Sequence, residues 1–431
     1  MLIEIHAIQN HSPSNLNRDD LGAPKTCYFG GVMRSRISSQ CIKRSIRTSE
    51  QFKLLCGGKR TRRLPQYLAD QIKDKQMLAL ADAVVQHCGL NKDKDATKAE
   101  KKDVIVFLSS SAVVKMVALL RGEAAEVKKD RVAILSRQFA ELVANDRFAP
   151  DMALFGRMLE PAKPQKAAKA TGENVEKGAD DGVWKGLDLS IEAASQVAHA
   201  ISTHEARPEV DYFVAADDIP GDNAGGAHIG EAMFGSACFY KYFSIHWETL
   251  VANLAGREPD VEKEANAHAK WTAETKPRAE QLAAHTVGAF LRGAALTNPT
   301  GKQNSFAAHN PPDGIVVEFK DTSPVSYANA FATPVPCKGP RDMVSQSIAQ
   351  LGRYVHDLDV GYGEPRKRFW FSPNLRYKLA YLEDSKEKPC AGLDESTNVK
   401  ALGDLVAKVV KEIGFDWGEV KKVAVCEETS P

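Results

Sequence analysis

The chain opens MLIEIHAIQN (1–10), and how this stretch is read decides the fold. As a strand it places Ile3, Ile5 and Ala7 on one face and Leu2, Glu4, His6 and Ile8 on the other. Apolar residues on both faces predict a strand inside a sheet that is covered on both sides. HSPSNLNRDDLGAPK (11–25) follows, and its Ser, Pro, Asn and Asp predict a turn-rich loop. A short run from Thr26 ends in the double glycine Gly30–Gly31, and SSQCIKRSIRTS (38–49) predicts a helix capped by Ser38 or Ser39. From about 60 to 160 the pattern is mostly helical and strongly charged, and helix is expected again from Leu187 to His204. Strand-like pieces at VDYFV (210–214) and SACFYKYFSI (236–245) precede a helix over roughly 262–294. A strand pair is expected at NSFAAHN (304–310) and GIVVEFKD (314–321), and the tail after about 376 is charged and loosely patterned. This order predicts an α+β fold rather than a regular βα alternation.

The 431 residues allow two or three domains of about 150 residues. With 43% hydrophobic and 26% charged residues, the composition is that of a globular chain, not a disordered or disulfide-stapled one. A formal charge of +1 leaves the question of a polyanionic partner to local patterning. The longest apolar run, Val104 to Leu120, is interrupted by Ser109, Ser110, Ser111 and Lys115, so no membrane span is expected. The N-terminus lacks a basic segment, so no secretory signal and a cytoplasmic location are expected. Eight cysteines with no CxxC spacing argue against a structural zinc site or a disulfide framework. Residues 161–186, rich in Lys, Ala, Gly and Pro, predict a flexible surface insertion.

Charge is concentrated between 34 and 63. Arg34, Arg36, Lys43, Arg44, Arg47, Lys53, Lys59, Arg60, Arg62 and Arg63 stand against one acid, Glu50, a local charge of +9. Such a run is often only a solvated helix face. At about 100° per residue, however, Gln40, Lys43, Arg44 and Arg47 share one arc of the 38–49 helix, while Cys41, Ile42, Ser45 and Ile46 fall opposite. A helix that packs with one face and presents cations on the other suits a phosphate backbone. Of the aromatics that could stack bases, most belong to core-like strands; Phe213 precedes the polar, glycine-rich AADDIPGDNAGGAH (215–228).

Catalytic signatures are poor. Asp19 and Asp20 near His11 are explained as turn residues, and His199 and His204, five apart, point in different directions on a helix. GGKRTR (57–62) lacks the phosphate-loop spacing, and neither GxSxG nor HExxH occurs.

HSPSNLNRDD (11–20), FGG (29–31) and SRISSQCIKRSIR (35–47) resemble the CasC family, the crRNA-binding backbone subunit of the type I-E CRISPR Cascade complex. MALFGRM (152–158), AHAISTHEARPEVDYFVAADDI (198–219), AHIG (227–230), CFYKYFSI (238–245), KQNSFAAHNPPD (302–313) and SYANAF (326–331) extend the resemblance in the family's order. It implies an RRM/ferredoxin-like palm (1–55 and 191–376), a helical fingers domain (56–190), a thumb β-hairpin at about 205–235 and a C-terminal extension (377–431). It further implies that several copies stack along a crRNA, each thumb displacing a guide base and leaving segments free to pair with target DNA. Implied backbone contacts are Arg18, Lys25, Ser38, Gln40, Lys43, Arg44 and Arg47; the implied wedge is Met158, Tyr212, Phe213 and Val214. Tyr212 stands where the family often has Trp, and Lys302–Gln303–Asn304 ends in an amide where the family has a third basic residue. Implied partners are crRNA, target DNA, further copies of the chain, other Cascade subunits and a recruited helicase-nuclease, with no membrane, cofactor, metal or catalytic residue. The competing reading is an RNA-cleaving CRISPR enzyme on a related fold, with His11 as general base or Asp20 as a metal-binding carboxylate.

Overall fold

The computed structural model describes residues 1–55, 57–74, 76–90, 105–123, 127–146, 149–159, 182–187, 189–215, 228–255, 275–338 and 342–423. In chain order the elements begin with β1 (Leu2–Ser14), β2 (Thr26–Phe29), β3 (Val32–Ile37), α1 (Ser39–Arg47) and α2 (Glu50–Leu54). A mainly helical stretch follows: β4 (Lys59–Thr61), α3 (Leu64–Ile72), α4 (Met77–His87), β5 (Val106–Leu108), α5 (Ser110–Arg121), α6 (Lys129–Asn145) and α7 (Pro150–Phe155). Then come β6 (Ser195–Val197), β7 (Ala200–Ser202), β8 (Glu209–Ala215), β9 (His228–His246), α8 (Trp247–Ala255), α9 (Thr275–Leu296), α10 (Gln303–Phe306) and β10 (Gly314–Lys320). A 3-10 turn (Tyr327–Phe331) leads into α11 (Met343–Tyr362), β11 (Lys367–Phe371), β12 (Ala380–Glu383), β13 (Lys386–Pro389), β14 (Asn398–Val399), α12 (Leu402–Ile413) and α13 (Trp417–Val420).

The chain divides into two compact units. The first comprises Met1–Phe52, Ser195–Trp247 and Ala284–Lys422; the second comprises Lys53–Ala194, Glu248–Ala283 and Val423–Pro431. The first holds a ten-stranded mixed sheet in the order β14-β11-β10-β1-β9-β7-β3-β2, with β6 and β8 also pairing β9. Only β11–β14 is parallel. β1 lies at its centre, antiparallel to β10 on one side and β9 on the other. Both its faces are covered, as its sequence predicts. On one face Ile8, Tyr240, Tyr242, Val316 and Trp370 pack under Ile348 and Leu351 of α11. On the other, Phe243 meets Phe290 of α9 edge to face at 5.5 Å. Here α1 lies so close to α9 that a Cβ on Gly293 would come within 3.1 Å of Ile46.

In the second unit, α3 to α6 bury Leu68, Leu80, Val84, Met116, Leu135 and Phe139 in one core. Most of the 161–186 insertion lies outside the described residues. Its end is anchored: the Trp184 indole donates to the Cys88 carbonyl at 2.8 Å, and Arg137 donates to the carbonyls of Val183 and Lys185.

Three local expectations are corrected. The helix expected over Leu187–His204 is instead β6 and β7, which pair with the 19-residue β9. Its alanines favour helix, but the long strand beside it offers a ladder of backbone partners, and tertiary pairing overrides the preference. NSFAAHN is not a strand: Lys302 and Ala307, at φ 51° and 46°, bracket the four-residue α10. The tail is not loose among the described residues, since α12 buries Leu405, Val406, Val409 and Val410 on one stripe. No helix among the described residues is long and apolar enough to cross a membrane.

Candidate nucleic-acid interface

α1 forms where Ser38, in extended conformation, accepts the Cys41 backbone N–H at 3.3 Å. The backbone N–H of Ser38 in turn donates to the Asn17 side chain at 2.8 Å, tying the cap to the preceding loop. Ile42 and Ile46 are buried, Gln40 and Arg44 are exposed, and Lys43 and Arg47 are half-buried. Burial lowers the Lys43 pKa. α1 has no acid in its first turn, and Arg44 and Arg47 sit in its last turn, where a helix dipole favours cations. The Ser38 hydroxyl oxygen is used by the cap, leaving its O–H proton as the group that could meet a phosphate.

Lys25 stands beside this helix. Its backbone bonds to Asn17 and Arg36, and its charge bears on Cys41 of α1 and on His199. His199 Nδ1 lies 3.3 Å from the Ser39 backbone nitrogen and 3.1 Å from an Arg36 guanidinium nitrogen, so it accepts there and carries its proton on Nε2. Burial and the cations Arg36 and Lys25 lower its pKa. Arg18, exposed, lies in the loop where it bridges Pro24. Arg34 does not belong to this face: it is fully buried and donates to the carbonyls of Phe29, Ser202 and Phe331. Lys53, Lys59, Arg60, Arg62 and Arg63 fall in the second unit, so the sequence run of cations is not one patch of one unit.

β8 and the start of β9 form an antiparallel ribbon, with Tyr212 opposite Glu231 and Phe213 opposite Gly230. Residues 216–227, the rest of the thumb expected at 205–235, lie outside the described residues. Alternation along β8 puts Tyr212 and Val214 on one face and Phe213 on the other. Tyr212 is 67% and Phe213 45% exposed, and Val214 is exposed too. The Phe213 ring covers Gly230, where a Cβ would come within 2.4 Å of it. Four other aromatics, Phe239, Tyr240, Tyr242 and Phe243, are core.

Met158 belongs to the second unit, and its local sequence explains its display. Gly156 turns the chain at φ 76°, where a Cβ would press on the Ile191 carbonyl at 2.8 Å. Arg157 is buried and donates to the carbonyls of Leu189, Asp146 and Val143. Met158, next along, is left 84% exposed.

Two further candidates, Asp19 and Gln303, bond within their own loops. The Asp19 carboxylate accepts the backbone N–H groups of Leu21 and Ala23, each at 2.9 Å, as a turn residue does. Gln303 donates to the carbonyls of Pro299 and Ala308. Burial, with the Lys241 cation nearby lowering it further, pushes His11 down to about 3. Glu4, His6 and Glu318 are the one group of potential metal ligands among the described residues. The two carboxylates already bind Lys320, at 2.7 and 2.8 Å, and Arg368, at 2.6 Å from Glu318, so a dication would meet two cations.

Sequence reasoning did not place His199, Arg36 or Lys241 beside α1. The signal for Lys241 was present: a lysine at an alternate position between Phe239 and Phe243, in a stretch from Ala237 to Ile245 otherwise apolar on that face.

No curated protein matches the chain. Among solved structures, the chain is similar to one described as "CRISPR RNA-guided surveillance complex, pre-nicking", with 25% identity and a TM-score of 0.69 over 96% of this chain and 100% of that one. A second, "CRISPR RNA-guided surveillance complex", shares the fold at 20% identity and a TM-score of 0.51 over 96% of this chain and 99% of that one. The family described as "CT1975-like protein" matches residues 3–171 and 183–397, and the chain belongs to that family.

Proposed function

We propose that the chain is a crRNA-binding backbone subunit of a type I-E CRISPR surveillance complex, working in the cytoplasm. Its first unit acts as an RRM-like palm, α1 and its neighbours grip guide phosphates, and the β8–β9 ribbon serves as a thumb that displaces bases. Several copies line the guide and hold its segments for pairing with target DNA, alongside other Cascade subunits and a recruited helicase-nuclease. The observation that carries this reading is α1 itself: it is anchored by Ile42 and Ile46, and its outer face bears Gln40, Lys43, Arg44 and Arg47 with no acid in the helix. The likeness to a surveillance-complex chain over 96% of this one supports it. Phosphate contacts are blind to sequence, so one such face can coat any guide, and base pairing does the reading.

The subunit binds RNA without cutting it. A general base works best with a pKa near the operating pH, and His11, held at about 3 by burial, is far from that. The test is size measurement of complexes with single-stranded RNAs of increasing length, with and without Mg²⁺. The number of copies per RNA should rise with length and the RNA should stay intact. One copy per RNA at every length, or cleavage, overturns the reading.

A further inference from the structure

Lys241 has no evident structural reason to be a lysine. It stands in β9 opposite Ala7 of β1, in phase with Phe239 and Phe243 and on the face of the sheet that α1 and α9 cover. Only 2% of the residue is exposed. Among the described residues no carboxylate acts on its charge; the group that does is the Cys41 thiol in the first turn of α1. A buried cation without a carboxylate is costly, and an apolar side chain of similar size would suit the sheet better. What surrounds it is positive or neutral. Arg44 and Lys25 act on the same thiol, and the buried His11 of β1 feels Lys241. The half-buried Cys41 and the N-terminal end of α1 lie at the margin of this group, and a helix start adds a partial positive charge. Lys25, Arg44 and the buried Lys241 thus all act on the one Cys41 thiol, a grouping of cations that suits an anion.

We propose that Lys241 is a further phosphate-binding residue, reaching from the sheet beneath the first turn of α1 to a guide phosphate shared with Lys25 and Arg44. This rests on the RNA-binding reading and adds a residue to that same site.

The proposal has a pH signature. Burial pushes Lys241 down to about 8, so it is mostly protonated at neutral pH and loses its proton just above. A phosphate beside it would raise that value, so binding takes up protons and weakens as the pH rises from about 8. His11, at about 3, is neutral throughout this range, and the Cys41 thiol is raised by burial, so both stay uncharged near neutrality. Lys43, on the outer face of α1, is also lowered by burial, so the comparison must be between variants.

The experiment titrates the full chain with a single-stranded RNA of A and C only, at fixed salt, from pH 7 to 9.5. Wild type should lose about fivefold or more in affinity across this range. Lys241→Met should bind about tenfold more weakly at pH 7, which is one charge-assisted contact, and should respond less to pH. The free Lys241→Met chain should unfold at no lower temperature than wild type, because a buried charge has been removed. Lys241→Arg should restore binding at pH 9. A wild-type profile that is flat overturns the proposal without any variant. So does a Lys241→Met chain that folds and binds with the wild-type profile. Lys43→Ala, measured in parallel, separates two failures. If it weakens binding and Lys241→Met does not, only this proposal falls; if neither does, the RNA-binding reading of α1 falls with it.

Discussion

Around Glu318 the protein buries carboxylates and cations together, while along α1 it displays cations on a helix that carries no acid. In the first cluster Arg368 donates to Glu318 at 2.6 Å and to both oxygens of Asp359, at 2.8 and 2.7 Å. Lys320 bridges Glu4 and Glu318, Tyr327 donates to Glu318 at 2.7 Å, and Tyr242 donates to Glu4. These charges satisfy one another within the fold. On α1 the apolar side is consumed by packing and the charged side is turned outward. The contrast teaches that charge count alone does not locate a binding surface. Arg34 and Arg368 carry the same side chain as Arg44, yet both are spent on carbonyls and carboxylates in the interior. What separates the two kinds is burial: Arg34 and Arg368 lie inside the fold, whereas Arg44 is exposed.

The comparison breaks most visibly at Arg368. Arg368→Met removes a fully buried cation, leaving Glu318 to Lys320, which it shares with Glu4, and taking from Asp359 the guanidinium that binds both its oxygens. Breaking a buried pair from one side costs about 3–5 kcal/mol. Urea unfolding should show that loss, while the RNA affinity of the chain that remains folded should be unchanged. A cost below about 1 kcal/mol would mean that the network is not what holds these strands together.

Acid should attack the same buried cluster and spare α1. His6 donates or accepts at 2.9 Å with the Tyr240 hydroxyl and stacks on Tyr327 at 4.1 Å, and burial holds its pKa down to about 3. Burial alone would raise Glu318, but Arg368 and Lys320 hold it at about 2. The unfolded chain takes a proton on His6 from about pH 6.5 downward, whereas the folded chain waits until about 3. Stability present above 6.5 is therefore lost as the pH falls through this window, by up to about 1.4 kcal/mol per pH unit for this group. Glu318 adds its own loss between 4.5 and about 2. His6→Phe should flatten the slope of unfolding free energy between pH 6 and 4.5. An unchanged slope would place the acid sensitivity in other groups, such as His11 or His285, which burial also lowers.

Much of this architecture is legible in the sequence where a repeat period speaks. Alternation with apolar residues on both faces marks β1 as a covered central strand, and the helical period separates Ile42 and Ile46 from Lys43, Arg44 and Arg47. Long-range pairing is silent in the same text. Nothing in AASQVAHAIS tells that β9 runs alongside it, so a segment rich in alanine reads as helix and folds as β6 and β7. The tail hides α12 because its lysines, Asp404 and Glu412 mask a stripe of only four buried residues. Within the candidate site, cations could be counted but not sorted. The acceptors that claim Arg34 come from Ser202 and Phe331, 168 and 297 residues away, and no local pattern announces them. Lys241 is hidden in the opposite sense, as one charge in a run of Phe and Tyr whose neighbours are set by a strand and a helix more than 190 positions earlier.

The finest test sets the α1 face against the ribbon, since both are proposed to touch RNA by different physics. Lys43→Ala and Arg47→Ala remove cations while Ile42 and Ile46 keep the helix packed. Removing a cation that neutralises one phosphate should reduce the magnitude of the slope of log K against log salt by about 0.7 for a single strand. Phe213→Ala removes a ring that covers Gly230 and is 45% exposed, without changing charge. It should leave the slope nearly unchanged and cost about 1–3 kcal/mol if the ring stacks on a base. Because Phe213 also shields a strand glycine, circular dichroism must first show that the sheet is retained. Tyr212→Ala, on the opposite and more exposed face of the ribbon, serves as its partner measurement, and the larger loss identifies the face that meets the base. If Lys43→Ala and Arg47→Ala leave the slope untouched, the outer face of α1 looks onto bulk solvent. If Phe213→Ala changes the slope and they do not, grip and wedge have been assigned to the wrong elements.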